Sequence, residues 1–178
     1  MIKRFLSLGA AALATLVGGC GDGPSTVPGG YRSPATWSSF IYATTSGALL
    51  LDVRGDPFGT GPATLETIVA ESMAAALPGR PFAMTVNPAQ APRPAFRVVV
   101  VLGAAKNLDE RDICAGRVPA STLPLAGGGR VDVVATFCDG QSLLSSSRGW
   151  VAKIEGVGDQ RFRQLLGQMA RDLMGEPS

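Results

Sequence analysis

Histidine is absent from the 178-residue chain. That removes the commonest general base, the commonest metal ligand and the usual pH switch together. A serine nucleophile would have no imidazole to activate it. The Ser-x-x-Lys and Gly-x-Ser-x-Gly spacings, which mark two other routes to a reactive serine, are also missing. No apolar run reaches the roughly 20 residues that a membrane-spanning helix needs. Aromatic residues make up 6% of the chain. Trp37, Phe40, Tyr42, Phe96, Phe137 and Phe162 fall at positions expected to face a core, and Trp150, in a strand beside Arg148 and Gly149, is expected there too, with an exposed position as the alternative. Lysine is scarce: past residue 19 only Lys106 and Lys153 remain. The excess of arginine reads as a compositional habit rather than as phosphate recognition.

Against these absences stands a well-marked N-terminus. Lys3 and Arg4 form a short basic segment, and Phe5 to Val17 is an uncharged apolar run of the length of a secretory leader. Val17-Gly18-Gly19-Cys20 resembles the bacterial lipobox, an aliphatic residue and two small ones before a cysteine. The resemblance implies diacylglyceration of the Cys20 thiol, cleavage between Gly19 and Cys20, and acylation of the new amine. Small side chains before the cut let extended backbone enter a protease cleft. Each buried methylene contributes about 0.8 kcal/mol, so two or three acyl chains anchor stably where one would not. Alternatives are an ordinary leader with an incidental cysteine, or an uncleaved anchor, which Gly18, Gly19 and Asp22 disfavour by ending the apolar run so early.

Removing residues 1–19 leaves 159 of the 178, enough for one domain with a real core. Lys3 and Arg4 go with the leader, so the 16 basic residues fall to 14, against 14 acidic ones. This near-neutral balance argues against a nucleic-acid partner and against a basic membrane-surface patch. With Cys20 assigned to lipid, Cys114 and Cys138 remain. In an oxidising compartment such a pair is most simply a disulfide. Free or redox-active thiols are the alternative, although redox pairs usually sit closer, as Cys-x-x-Cys. A metal site would need further ligands, and no cofactor is indicated.

Gly21 to Pro34 is rich in Gly, Pro, Ser and Thr and reads as a flexible spacer. Strands are expected at Phe40–Thr44 and Ala48–Val53, joined as a hairpin through Ser46-Gly47. Pro62 to Leu77 has helical periodicity, with Leu65, Ile68, Val69, Met73, Ala76 and Leu77 on one side. A short edge strand is expected around Phe82–Val86, and Phe96–Leu102 reads as a central strand buried on both faces. Gly103 to Gly129 is long and irregular. Two further strands, Arg130–Cys138 and Ser142–Ile154, flank an Asp139-Gly140 turn. Asp159 can cap a last helix with an apolar stripe of Phe162, Leu165, Leu166, Met169, Ala170 and Leu173. The expected fold is a single two-layer α+β domain over 37–176, a mostly antiparallel sheet of about five strands with two helices packed on one face. The signal peptide (1–19) and a linker carrying the lipidated cysteine (20–36) precede it.

Other candidate sites read as structural. Gly127-Gly128-Gly129-Arg130 lacks the helix that a phosphate loop needs after it, so a solvated turn is expected. Ser145-Ser146-Ser147 fits alternation along a half-exposed strand. Asp52, Asp109, Glu110, Asp112, Asp132 and Asp139 could in principle supply the paired carboxylates of glycoside hydrolysis, but no spacing singles out two. Arg161, Arg163 and Arg171 read as the solvated face of the last helix.

Gly55-Asp56-Pro57-Phe58, Phe96-Arg97-Val98-Val99, Cys114-Ala115-Gly116, Ala135-Thr136-Phe137-Cys138-Asp139-Gly140, Arg148-Gly149 and Asp159-Gln160-Arg161-Phe162 are motifs through which the chain resembles an uncharacterised family of short proteobacterial envelope lipoproteins. The resemblance implies that the two cysteines belong to one shared structural feature, and it supplies no activity. The expectation is an envelope lipoprotein anchored in the membrane through Cys20. Its non-enzymatic domain would bind or scaffold an envelope partner, with the outer membrane favoured because Gly21 and not Asp follows the cysteine. A carboxylate-dependent glycan or peptidoglycan hydrolase is the alternative.

Overall fold

In the computed structural model, residues 22–118 and 129–175 are described. Cys20, Gly127, Gly128 and the chain from residue 176 lie outside them. In chain order the elements are β1 (Ser25–Arg32), α1 (Thr36–Thr44), β2 (Leu49–Arg54), α2 (Pro62–Ala74), β3 (Met84–Thr85), β4 (Phe96–Leu102), α3 (Glu110–Cys114), β5 (Val131–Asp139), β6 (Ser142–Val151) and α4 (Gln160–Met174). The strands form one mixed six-stranded sheet in the order β1-β6-β5-β4-β2-β3. β2 is parallel to both β3 and β4, and the remaining pairs are antiparallel.

The β-branched run of β4 decides the layering. Val98, Val100 and Leu102 point into the larger core, while Val99 and Val101 point into a second one. On the first face Phe40 of α1, Leu65, Val69 and Met73 of α2, and Phe162, Leu165, Leu166, Met169 and Leu173 of α4 complete the packing. On the second face Ile113 and Cys114 of α3 cover Val99, Val101, Val134 and Cys138. Helices therefore lie on both faces, where the expectation had two on one. Burial of β4 on both sides is the reason, since an uncovered second face would leave valines in water.

α4 follows its pattern. The Asp159 carboxylate accepts from the Arg161 N–H at 2.9 Å, capping the helix start. At its other end Ser145 donates to the Leu173 carbonyl at 2.8 Å, and Arg32 donates to the carbonyls of Asp172 and Gly175. These donors satisfy acceptors that have no partner within the helix, and the guanidinium also complements the negative end of the helix dipole. Gly149 lets β6 approach α4: a Cβ there would sit 2.7 Å from Leu165 Cδ1 and 3.0 Å from the Ser25 carbonyl.

Three expectations are corrected. Residues 40–44 are helical, not a strand, so no hairpin joins them to β2. Phe40 and Tyr42 are β-formers locally, but Thr36, Phe40 and Ala43 recur at a helical spacing and are the residues α1 buries. The hydroxyls of Thr44 and Thr45 bond to carbonyls four residues back, Phe40 at 2.8 Å and Ile41 at 2.7 Å, and so stay satisfied inside a helix. Tyr42 lies on the opposite side of α1 and is exposed rather than in the core. Finally, the supposed spacer supplies an edge strand. β1 tolerates Pro28 because it sits at a sheet edge, with an irregular register between Pro28 and Arg32. Gly29 is required there, since a Cβ would overlap Ser146 Oγ at 1.8 Å.

The Asp159 carboxyl is held below its ordinary 3.8, chiefly by the side-chain bond to Arg161. Its contribution to stability is therefore complete above the unfolded value and fades as pH falls through the lower, folded one. Asp159→Ala should cost about 1 kcal/mol at neutral pH, the typical loss of an N-cap. Asp159→Asn should retain most of the cap. Denaturant titrations at pH 7 and at pH 3 should show the gap between wild type and Asp159→Asn narrowing at the lower pH.

Candidate functional site

A helix of five residues cannot hold itself together in water, so α3 depends on what pins it. Asp109 caps its start by accepting from the Arg111 N–H at 2.8 Å. At its end the Cys114–Cys138 disulfide, with a Cα–Cα distance of 5.6 Å, joins it to β5. Arg97 reaches out of β4 to donate to the Cys114 carbonyl at 2.7 Å and to the Gly140 carbonyl at 2.8 Å. Arg148 of β6 takes Glu110 Oε1 at 2.6 Å and also donates to the carbonyls of Lys106 and Leu108. The loop before α3 is thereby fastened to the sheet by one guanidinium.

Beside this layer, where the sheet ends, is a cavity of about 160 Å³ lined by Lys106, Arg130, Asp132, Arg148, Gly149 and Trp150. Arg130 stacks over the Trp150 ring with its guanidinium carbon 4.7 Å from the centroid, and it pairs with Asp132 at 2.6 Å. On the other side of the molecule an open groove of about 560 Å³ runs between α2 and α4. Arg163 reaches across it to Glu71 at 3.5 Å. Among the lining residues the groove has one carboxylate, Glu71, and the cavity one, Asp132.

The residues singled out from the sequence distribute as follows. Cys114 and Cys138 are joined. Cys20 lies outside the described residues, and of the glycine run only Gly129 is described, just before β5. The three serines are all buried, not half-exposed. Ser145 and Ser147 face α4, where Ser147 donates to the Asp172 carboxylate at 3.0 Å, and Ser146 lies beneath Gly29 of β1. Small hydroxyl side chains suit this strand because β1 and α4 approach it closely and α4 offers acceptors to Ser145 and Ser147.

Four of the six carboxylates are paired with arginines. Asp52 pairs with Arg54, Asp112 with Arg117, Asp132 with Arg130 and Glu110 with Arg148. Arg54 is raised further above its ordinary range by the hydrogen bond to Asp52, and Arg161 likewise by its bond to Asp159. Of the three α4 arginines, Arg163 and Arg171 line the groove, whereas Arg161 bonds back to the Lys153 carbonyl at 2.7 Å. Among the described residues, no group of three or more His, Cys, Asp or Glu could hold a metal ion, and no helix is long and apolar enough to cross a membrane.

Arg97 and Arg148 escaped the sequence reading. The available signal was a lone arginine inside an otherwise apolar or small-residue strand, a position that demands buried acceptors.

No protein-family model matches the chain, and no curated protein matches it. Among solved structures it is similar to a PelC dodecamer from Paraburkholderia phytofirmans, at 12% identity and a TM-score of 0.45, over 86% of this chain and 99% of that one.

Opening the disulfide should loosen the second layer before the first. The loop it closes spans about 25 residues, for which chain entropy gives about 3 kcal/mol. The Cys114→Ala/Cys138→Ala double variant should lose about that much in denaturant titration. Hydrogen exchange should accelerate most at residues 106–117, with the α4 amides keeping their relative protection.

Proposed function

We propose that this protein is a lipid-anchored component of a bacterial envelope, cut before Cys20 and acylated there, with an α+β domain that binds or scaffolds another envelope component. The observation that carries the reading is the Cys114–Cys138 disulfide. Such bonds persist in oxidising compartments and are rare in a reducing cytosol. It thus supports export independently of the leader and its lipobox-like Val17-Gly18-Gly19-Cys20. A binding role is supported by the chemistry of the surface. Arginines are spent on carbonyls and neighbouring carboxylates, and neither hollow brings two acids together. The domain faces the periplasm, from the outer membrane where Gly21 governs sorting.

Expression in a Gram-negative host tests the reading. The wild-type protein should incorporate labelled palmitate and fractionate with membranes, and Cys20→Ser should do neither. Maleimide labelling without reductant should find Cys114 and Cys138 blocked. A Cys20→Ser protein that still fractionates with membranes, or free thiols at 114 and 138 in the cell, would overturn it. Crosslinking followed by copurification should recover an envelope partner with the anchored form.

A further inference from the structure

The pairing registers gather particular chain ends at one end of the sheet. Ser25 at the start of β1 lies opposite Trp150, and Val151 at the end of β6 lies opposite Val131. Leu102 at the end of β4 lies opposite Val133, and Arg54 at the end of β2 lies opposite Val101. Just beyond β6, Lys153 Nζ takes Asp22 Oδ2 at 2.6 Å. Consecutive Cα atoms are 3.8 Å apart, so the Cα of residue 20 lies within about 8 Å of that of Asp22 in any conformation. By the same geometry, residue 20 is within about 18 Å of Ser25, where the sheet begins. The polar headgroup layer on each side of a bilayer is itself about 5–8 Å deep. A lipid on Cys20 therefore cannot leave this end of the domain far from the headgroups.

What the same end exposes is consistent with that placement. Lys106 and Lys153, the only lysines past residue 19, are both there and both exposed. Arg130 and the half-buried Trp150, stacked together, line the cavity beside Lys106. Tryptophan and snorkelling cations are the side chains that settle at a membrane interface, with an apolar body toward the lipid and a polar tip toward water. Their cationic atoms are partly balanced by Asp22 and Asp132. The covalent tether, not net charge, is what brings this surface to the bilayer.

We infer that the sheet end carrying Trp150, Arg130, Lys106 and Lys153 is the membrane-apposed face of the protein, seated against the headgroup layer of the bilayer that holds its lipid. The inference rests on the proposed acylation at Cys20. The opposite end points away from the membrane. There Thr36 donates to the Leu144 carbonyl at 2.9 Å, near the start of β6, and Trp37 follows it on α1. From Leu144 to Trp150 is six strand residues, about 20 Å. The two tryptophans of the chain thus report on opposite ends.

The acylated protein, reconstituted in phosphatidylethanolamine–phosphatidylglycerol vesicles containing lipids brominated near the headgroup, tests the placement. Fluorescence of Trp37→Phe, which leaves Trp150, should be quenched at least twofold more than that of Trp150→Phe, which leaves Trp37. Circular dichroism checks that both variants are folded. A second measurement uses the unaltered chain: a membrane-impermeant amine reagent should modify Lys106 and Lys153 several-fold more slowly on vesicles than in an anchored variant with twelve Gly-Ser residues inserted after Gly23. Vesicle flotation separates the two readings. Protein that floats with both tryptophans equally quenched, or with lysines as reactive as in the insertion variant, overturns the apposed face and leaves acylation standing. Protein that does not float overturns both.

Discussion

The constraint from which the rest follows is that β4 is apolar on both sides. Val98 and Val100 are buried in one core, Val99 and Val101 in the other. Each valine fully buried is worth roughly 1.5–3 kcal/mol, so neither face can be left open. The first face has three helices to cover it. Among the described residues the second is covered by the five residues of α3 with Ala104, Leu108, Val118 and Leu143 beside them, too little helix to persist unaided. The disulfide, Arg97 and Arg148 all act on that thin layer, one covalently and two by charge-assisted hydrogen bonds. The Cys114–Cys138 bond is thereby explained as the fastening of a cover that burial demands and that secondary structure alone cannot supply.

The excess of arginine over lysine has a related physical use. Arg32 holds the carbonyls that end α4, Arg80 the Ile41 carbonyl in α1, Arg97 those of Cys114 and Gly140, Arg148 those of Lys106 and Leu108, and Arg161 that of Lys153. A guanidinium presents five donors in a rigid fork and so can serve two acceptors from different segments at once, which an ammonium does less well. Reading these residues as a compositional habit missed that role. Their partners are backbone carbonyls from segments distant in sequence, and no sequence pattern marks a carbonyl as unpaired.

What the chain declares locally and what it does not divide along the same line. β2, α2, β4, the β5–β6 hairpin and α4 with its Asp159 cap all carry their own period, turn or stop, and all stand close to where those signals put them. The disulfide was legible by counting, once Cys20 was set aside. The errors fall where tertiary contacts outweigh local preference. α1 is a run of β-formers whose burial spacing is helical. The serines of β6 look half-exposed until β1 and α4 close over them. β1 has the composition of a linker because an edge strand needs one paired side only and can carry Pro28, Gly29 and Gly30 at little cost.

That last error matters most for the proposed function, because it changes what an anchor at Cys20 would do. A spacer from Gly21 to Pro34 would span up to about 50 Å and let the domain tumble freely above the bilayer. With Ser25–Arg32 paired to β6 and Asp22 already bonded to Lys153, almost none of that length remains free. The same strand carries Arg32, which holds the far end of α4, so pulling β1 away would expose helix carbonyls as well as breaking the sheet edge. A lipid on Cys20 would therefore act as an orienting clamp. On the proposed reading it would turn one end of the sheet toward the headgroups and leave the other end, with Tyr42 exposed beneath the Arg93 guanidinium, facing away from the bilayer.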